Sequence, residues 1–143
     1  MPITHARIAF ELEQDEDGYP PVSVETLWAT PTPEGFWRID NIPFFVYGIA
    51  PFDIIEAHGD PLTFERVVQR GGHATLRVML SKSADAARLR AALNELGCAS
   101  EASHLSILIA VDVPPAVQVE DVRAFLGGYG DEVVEVEDGC ERE

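Results

Sequence analysis

Residues 73–138 read "HATLRVMLSKSADAARLRAALNELGCASEASHLSILIAVDVPPAVQVEDVRAFLGGYGDEVVEVED". The strand "ATLRVML" leads into "SKSADAARLRAALNELG", where Leu89, Leu93 and Leu96 recur at helical spacing. Ser83 stands at the N-cap of that helix, and Gly97 is placed for a left-handed C-terminal stop. "CASEAS" reads as a short strand, and "LSILIAVDVP" is nearly continuous apolar, as in a strand covered on both faces. "PAVQVEDVRAFLGG" forms a second helix with Val119, Val122 and Phe125 or Leu126 inward, ended by glycines. "EVVEVED" closes the segment as an alternating, acidic strand.

The order β-α-β-β-α-β predicts a ferredoxin-like unit. Such a unit sets its first and third strands at the sheet centre, and here those are the two most apolar strands. The acidic last strand then falls at an edge, where charge discourages edge-to-edge association. Both helices cover one sheet face. The other face therefore needs a cover, and the N-terminal half is expected to supply an apolar one.

That half reads as β. In "RIAFELE" Ile8, Phe10 and Leu12 share a face, with Arg7, Glu11 and Glu13 opposite. "QDEDGYPP" is an acidic loop; "VSVETLWA" is a strand with Val22, Val24 and Trp28 on one side. "TPTPEG" turns the chain, since its prolines cannot feed a ladder. "FWRID", "IPFFVY", "DIIEA" and "LTFERVVQ" continue as short strands, and "RGG" is a tight turn. The fold class expected is α+β: a small bent β-sheet or barrel (1–72) packed on a ferredoxin-like unit (73–138), with a polar tail (139–143).

Six of the twelve aromatics lie within residues 36–52, around "RIDNIPFFVYGIAPFDIIEA" (38–57). As a strand, "IPFFVY" turns Ile42, Phe44 and Val46 one way and Phe45 and Tyr47 the other, apolar on both faces. This makes the stretch an internal joint between the two units. Trp37, Asp40, Phe45, Tyr47, Phe52, Asp53 and Arg77 are the candidate junction or ligand-lining residues. Arg77 shares a strand face with Thr75 and is expected to pair with Asp40, Asp53 or Glu101.

The segments "DNIPFFVYGIAPFDIIEA", "GGHATLRVML", "LGCASEA" and "AVDVPP", in this order, resemble a bacterial family known as domain of unknown function 4265. The resemblance spans residues 8–135 and rests most on the Asp-Asn-Ile-Pro-Phe-Phe string. The family pattern carries a small residue before the aspartate where this chain has Phe52, which implies a different local turn. The resemblance supports a fold and brings no activity or site residues.

A chain of 143 residues buries about 70% of its unfolded surface and needs neither disulfides nor metal to fold. Its net charge of −15 argues against phosphate-backbone and anionic-membrane partners. Residues 1–72 carry 12 acidic and 4 basic side chains and residues 73–143 carry 13 and 6, so the acidity is general. Aromatics without interleaved basic residues do not make a nucleic-acid platform. Cys98 and Cys140 do not form a disulfide framework, and Cys98 suits a buried small side chain. The N-terminus has no signal-peptide pattern, and no apolar run approaches about 18 residues, so a cytoplasmic bacterial protein is expected.

The candidate metal ligands His58, Asp60 and His73 match no zinc spacing, His5 and His104 add none, and no metal or cofactor is expected. No nucleophile elbow, P-loop or dinucleotide motif occurs, and "GGYG" (127–130) follows a helix instead of opening one. The composition suits a non-enzymatic acidic binding protein, in its most concrete form an immunity-type inhibitor or regulator of a basic partner protein. The alternative is a small-molecule sensor or carrier whose ligand sits between the two units. An enzyme site around His73, Arg77 and Asp53 is the third reading.

Overall fold

The computed structural model describes residues 5–103, 107–130 and 132–141. The first residues, His104 with the start of the apolar run, and the last residues of the tail lie outside these. Five strands come first: β1 (Ala6–Glu11), β2 (Val24–Pro31), β3 (Trp37–Ile39), β4 (Ile54–His58) and β5 (Thr63–Gln69). They close into a barrel in sequence order, sealed where Ala9 of β1 meets Thr63 of β5 in parallel. Ile8, Phe10, Leu27, Ala29, Ile39 and Ile55 fill its core.

On β1 the expected inward face is the observed one. On β2 the face named by Val24 and Trp28 is the outer one, and Leu27 and Ala29 point inward instead. The register explains this, because directly opposed residues share a face. Ile8 lies opposite Leu27, and Phe10 lies opposite Glu25, while Arg7 and Trp28 pair outside. A carboxylate thus stands on the inner face at the barrel mouth. Trp28 is 39% exposed and is flanked by His5 and the Arg7 guanidinium, each 4.9 Å from its ring centroid.

"IPFFVY" is not a strand. Residues 42–52 run irregularly between β3 and β4, and Val46 and Ile49 plug the barrel core. The ladder hydrogen bonds that a strand would have made are replaced by one side chain. Glu25 accepts the amides of Phe44, Phe45 and Val46 at 2.8, 3.0 and 2.9 Å. Three charge-assisted bonds satisfy both the inward carboxylate and an otherwise unpaired backbone.

The second sheet holds β6 (Ala74–Leu80), β7 (Ala99–Ala102), β8 (Leu108–Val113) and β9 (Val134–Cys140) in the order β7-β8-β6-β9. The two apolar strands are central and the acidic β9 is an edge. β9 runs through Gly139 and Cys140, which the sequence assigns to the tail, and both are buried. Helices α1 (Ala86–Glu95) and α2 (Val119–Gly127) pack Leu89, Leu93, Val122 and Leu126 onto Leu76, Val78, Ile109 and Val111. Ser83 does not cap α1: it begins a 3-10 turn, Ser83–Asp85, and Asp85 stands at the N-cap of α1. Gly97 does end the helix, at φ +93°. Its amide meets Asn94 O and the Cys98 amide meets Leu93 O, the two bonds of a Schellman stop. Leu96 is left largely outside.

Candidate functional site

The sheet face away from the helices is built from the alternate residues of β6, and pairing sets its rows. One row runs Glu137, Arg77, Ala110, Glu101; the next runs Glu135, Met79 and Leu108. Thr75 and Asp112 stand in the row on the other side. This face is therefore polar at its centre, contrary to the apolar expectation.

The 42–52 segment covers it by offering backbone groups. Gly48 N donates to Gly139 O at 2.8 Å, Thr75 Oγ1 donates to Ile49 O at 3.4 Å, and Arg77 Nη2 donates to Val46 O. Arg77 is at the junction, but its carboxylate is none of the three expected. It is Glu137, directly across the ladder at 3.4 Å. The Tyr47 ring roofs the guanidinium, 4.7 Å from centroid to Cζ. Tyr47 is itself 58% exposed, so it is a lid on a polar group and not core. Its hydroxyl is pushed above the usual phenol range by partial burial and by its hydrogen bond to Glu137, against the pull of Arg77.

Beside this lies a second cluster. Asp53, 1% exposed, accepts Ala50 N at 3.0 Å, Gly71 N at 2.9 Å and Arg70 Nη1 at 3.0 Å. Phe52 adopts φ +73° and stacks its ring on His73 at 4.6 Å. Gly71 makes this possible, since a Cβ there would lie 2.6 Å from Phe52 O. His73 Nδ1 lies 2.7 Å from Asp112 Oδ1. Burial pushes the Asp112 carboxyl up, and His73 pulls it back down.

The row Glu135, Met79, Leu108 is only partly covered, with Glu135 exposed, Met79 half-buried and Leu108 buried, and a groove follows it. A cavity of about 450 Å³ runs along Arg77, Glu135 and Glu137, and one of about 540 Å³ runs under Phe44 and Phe45 to Ser103. They meet at Tyr19, Met79 and Leu108. Tyr19 comes from the acidic loop and packs edge-on against Phe45 at 6.2 Å. Its hydroxyl is raised first by burial and then by Glu137, with Arg77 opposing. Among the described residues, the two buried side-chain polar atoms without a hydrogen-bond partner are Arg77 Nε and Ser103 Oγ, and both residues line this groove.

Of the seven candidates, Phe45 and Arg77 line the groove, Tyr47 stacks on Arg77 beside it, and Phe52 and Asp53 form the cluster next to it. Trp37 and Asp40 lie elsewhere. Trp37 leans on the barrel core, and Asp40 accepts Thr30 Oγ1 at 2.5 Å with Arg38 at 3.4 Å. His73, Arg77 and Asp53 have separate partners and do not make one site. His58 pairs with Glu56 at 2.8 Å, away from His73, and the described residues contain no cluster of three or more ligands placed for a metal. Cys98 is buried in the helix-side core, its thiol pushed up by burial and by Asp112. Cys140 is a buried thiol 3.7 Å from Arg70. No helix among the described residues is long and apolar enough to cross a membrane. Sequence reasoning missed Tyr19, Glu25, Arg70 and Glu137. For Glu25 the signal was available: an acidic residue next to Val24 and two positions before Leu27, in a strand of ambiguous parity.

The model of the family described as a domain of unknown function, DUF4265, matches residues 25–136. No curated protein matches the chain. A solved structure from Neisseria gonorrhoeae, described as a hypothetical protein, is similar in fold at 18% identity and a TM-score of 0.80, covering 100% of this chain and 99% of that one.

Proposed function

The chain belongs to the family of the domain of unknown function 4265, which brings a fold and no activity, and we propose on that footing that it binds a small molecule in the groove between barrel and sheet. One observation carries this reading. The partly covered row of the sheet opens on two adjoining cavities of about 540 and 450 Å³, whose linings include Ser103 and Arg77, the two residues that each hold a buried polar atom without a partner among the described residues. Ligand sites favour such places: unit junctions, apolar walls, a few convergent polar groups, volumes of about 300–1,000 Å³. The role is that of a sensor or carrier. In this reading residues 73–138 act as a ferredoxin-like unit and residues 1–72 as the barrel that completes the groove. Two buried cysteines kept as thiols suit a reducing, cytoplasmic setting.

Thermal-shift screening against metabolites, run in parallel on Met79→Trp, tests it. Met79 lines both cavities, so a true ligand raises the unfolding midpoint of the wild type and loses that effect in the variant. A screen without stabilisers, or one whose stabilisers ignore Met79→Trp, overturns it.

A second reading, an acidic regulator of a basic protein such as a toxic enzyme, is favoured by β9. That edge strand presents Glu135 and Glu137 to solvent on a chain of net charge −15. Charge complementarity makes such capture fast and salt-sensitive. A pull-down from host lysate at low and high salt checks it, and retention that ignores salt or Glu135→Gln sinks it.

A further inference from the structure

The charged side chains of the groove point to its ligand class, an inference that rests on the small-molecule reading above. Asp17, Glu135 and Glu137 are carboxylates; Arg77 is the cation among the lining residues. Arg77 is enclosed, with Val46 O, Glu137 and the Tyr47 ring already around it. Its charge is therefore answered from within the protein, whereas Glu135 stands exposed on the same face, one row along. An anion entering here would meet net negative charge in a strongly acidic molecule. A neutral apolar ligand would use the larger cavity, with its Phe44, Phe45, Met79 and Leu108 walls, and leave the acidic end idle.

We propose that the groove binds an amphipathic cation, its apolar body in the larger cavity and its protonated amine at Glu135 and Glu137 beside Tyr19. The body gains from leaving water, and the amine gains from carboxylates and a ring at a partly desolvated position. Ser103, whose Oγ has no hydrogen-bond partner, also lines the larger cavity.

Titration calorimetry with n-octylamine, n-octanol and n-octanoate, at equal chain length, reads the head group alone. Octylammonium is expected to bind about tenfold tighter than octanol, with octanoate silent. Raising salt from ~20 mM to ~0.5 M weakens the amine and not the alcohol. Glu135→Gln lowers amine affinity while leaving octanol unchanged. Glu137→Gln does the same and, by uncovering Arg77, lets octanoate in. Should Glu137→Gln fail to fold, Glu135→Gln alone decides. Equal binding of amine and alcohol overturns the cation but leaves the groove. Silence of all three probes overturns both. Binding of decalysine with the octyl probes silent overturns both in favour of the acidic-regulator reading.

Discussion

The guanidinium of Arg77 and the ring of Tyr47 form a stacked pair, 4.7 Å from Cζ to centroid, in which the arginine is 2% exposed and the tyrosine is its roof. A buried arginine is costly unless its hydrogens are met. Here the barrel plug meets Nη2 with a main-chain carbonyl, Val46 O, and the sheet meets Nη1 with Glu137, while Nε is left without a partner. Barrel and sheet are thus locked by a polar joint, not an apolar one.

Gly139 leaves the room for that joint. A Cβ on it would stand 3.2 Å from Arg77 Cζ and Nε and from Thr75 Cγ2. Gly139→Ala is expected to cost about 1–2 kcal/mol in urea unfolding, since both neighbours are held. A change within error shows that the Arg77 side chain gives way freely.

Glu25 holds three successive amides of the plug. Glu25→Ala is expected to destabilise by about 3 kcal/mol, because it removes charge-assisted bonds and leaves the amides in part unmet. Glu25→Gln retains one accepting oxygen and costs about half as much. Equal losses for Ala and Gln in chemical denaturation contradict the role given to the charge.

Phe52 sets strain against stacking. Its φ of +73° costs a side-chain-bearing residue about 1 kcal/mol, which glycine avoids. Phe52→Ala keeps the strain and loses the His73 stack, whereas Phe52→Gly loses both. Phe52→Gly is therefore expected to be more stable than Phe52→Ala by about 1 kcal/mol in thermal or urea melts. The reverse order rules out strain at this position.

Asp53→Asn keeps the shape of a side chain that accepts two amides and Arg70, but removes its charge and turns an NH₂ toward donors. The expected loss is about 2–3 kcal/mol. Hydrogen exchange at Ala50 and Gly71 is expected to quicken with it; unchanged exchange there contradicts the assignment.

Glu101 gives a pH dependence. Burial raises its carboxyl above the usual 4.5, with Arg90 pulling the other way. The unfolded chain then releases this proton more readily than the folded one. The stability tied to the protonated form is present below about pH 4.5 and lost as pH rises through the higher folded value. Glu101→Gln is accordingly expected to be close to neutral at low pH and to gain on the wild type above it. A stability difference that stays flat across pH 4–7 contradicts the raised value.

Much of the second sheet was legible in the sequence. Continuous apolar character marked the two central strands, helical spacing of Leu89 and Leu93 marked α1, and Gly97 marked its end. These signals are local and carry their own periodicity. The aromatic stretch was legible as a joint but not as a shape. Phe44, Phe45 and Val46 carry the residue types of a strand, yet their amides are taken by Glu25, about twenty positions away.

Sequence by itself determined the order of strands and helices in the second half, the apolar faces of β1 and α1, the family and the general acidity, because composition and short-range periodicity are enough for these. Tertiary structure alone decided which side of β2 faces the core, since one step of register exchanges the faces of a strand. It also chose Glu137 for Arg77, through pairing across the β6–β9 ladder, and left one row of the sheet only partly covered, with a groove along it. Each of these depends on which distant segments meet, a choice made by the packing of the whole chain.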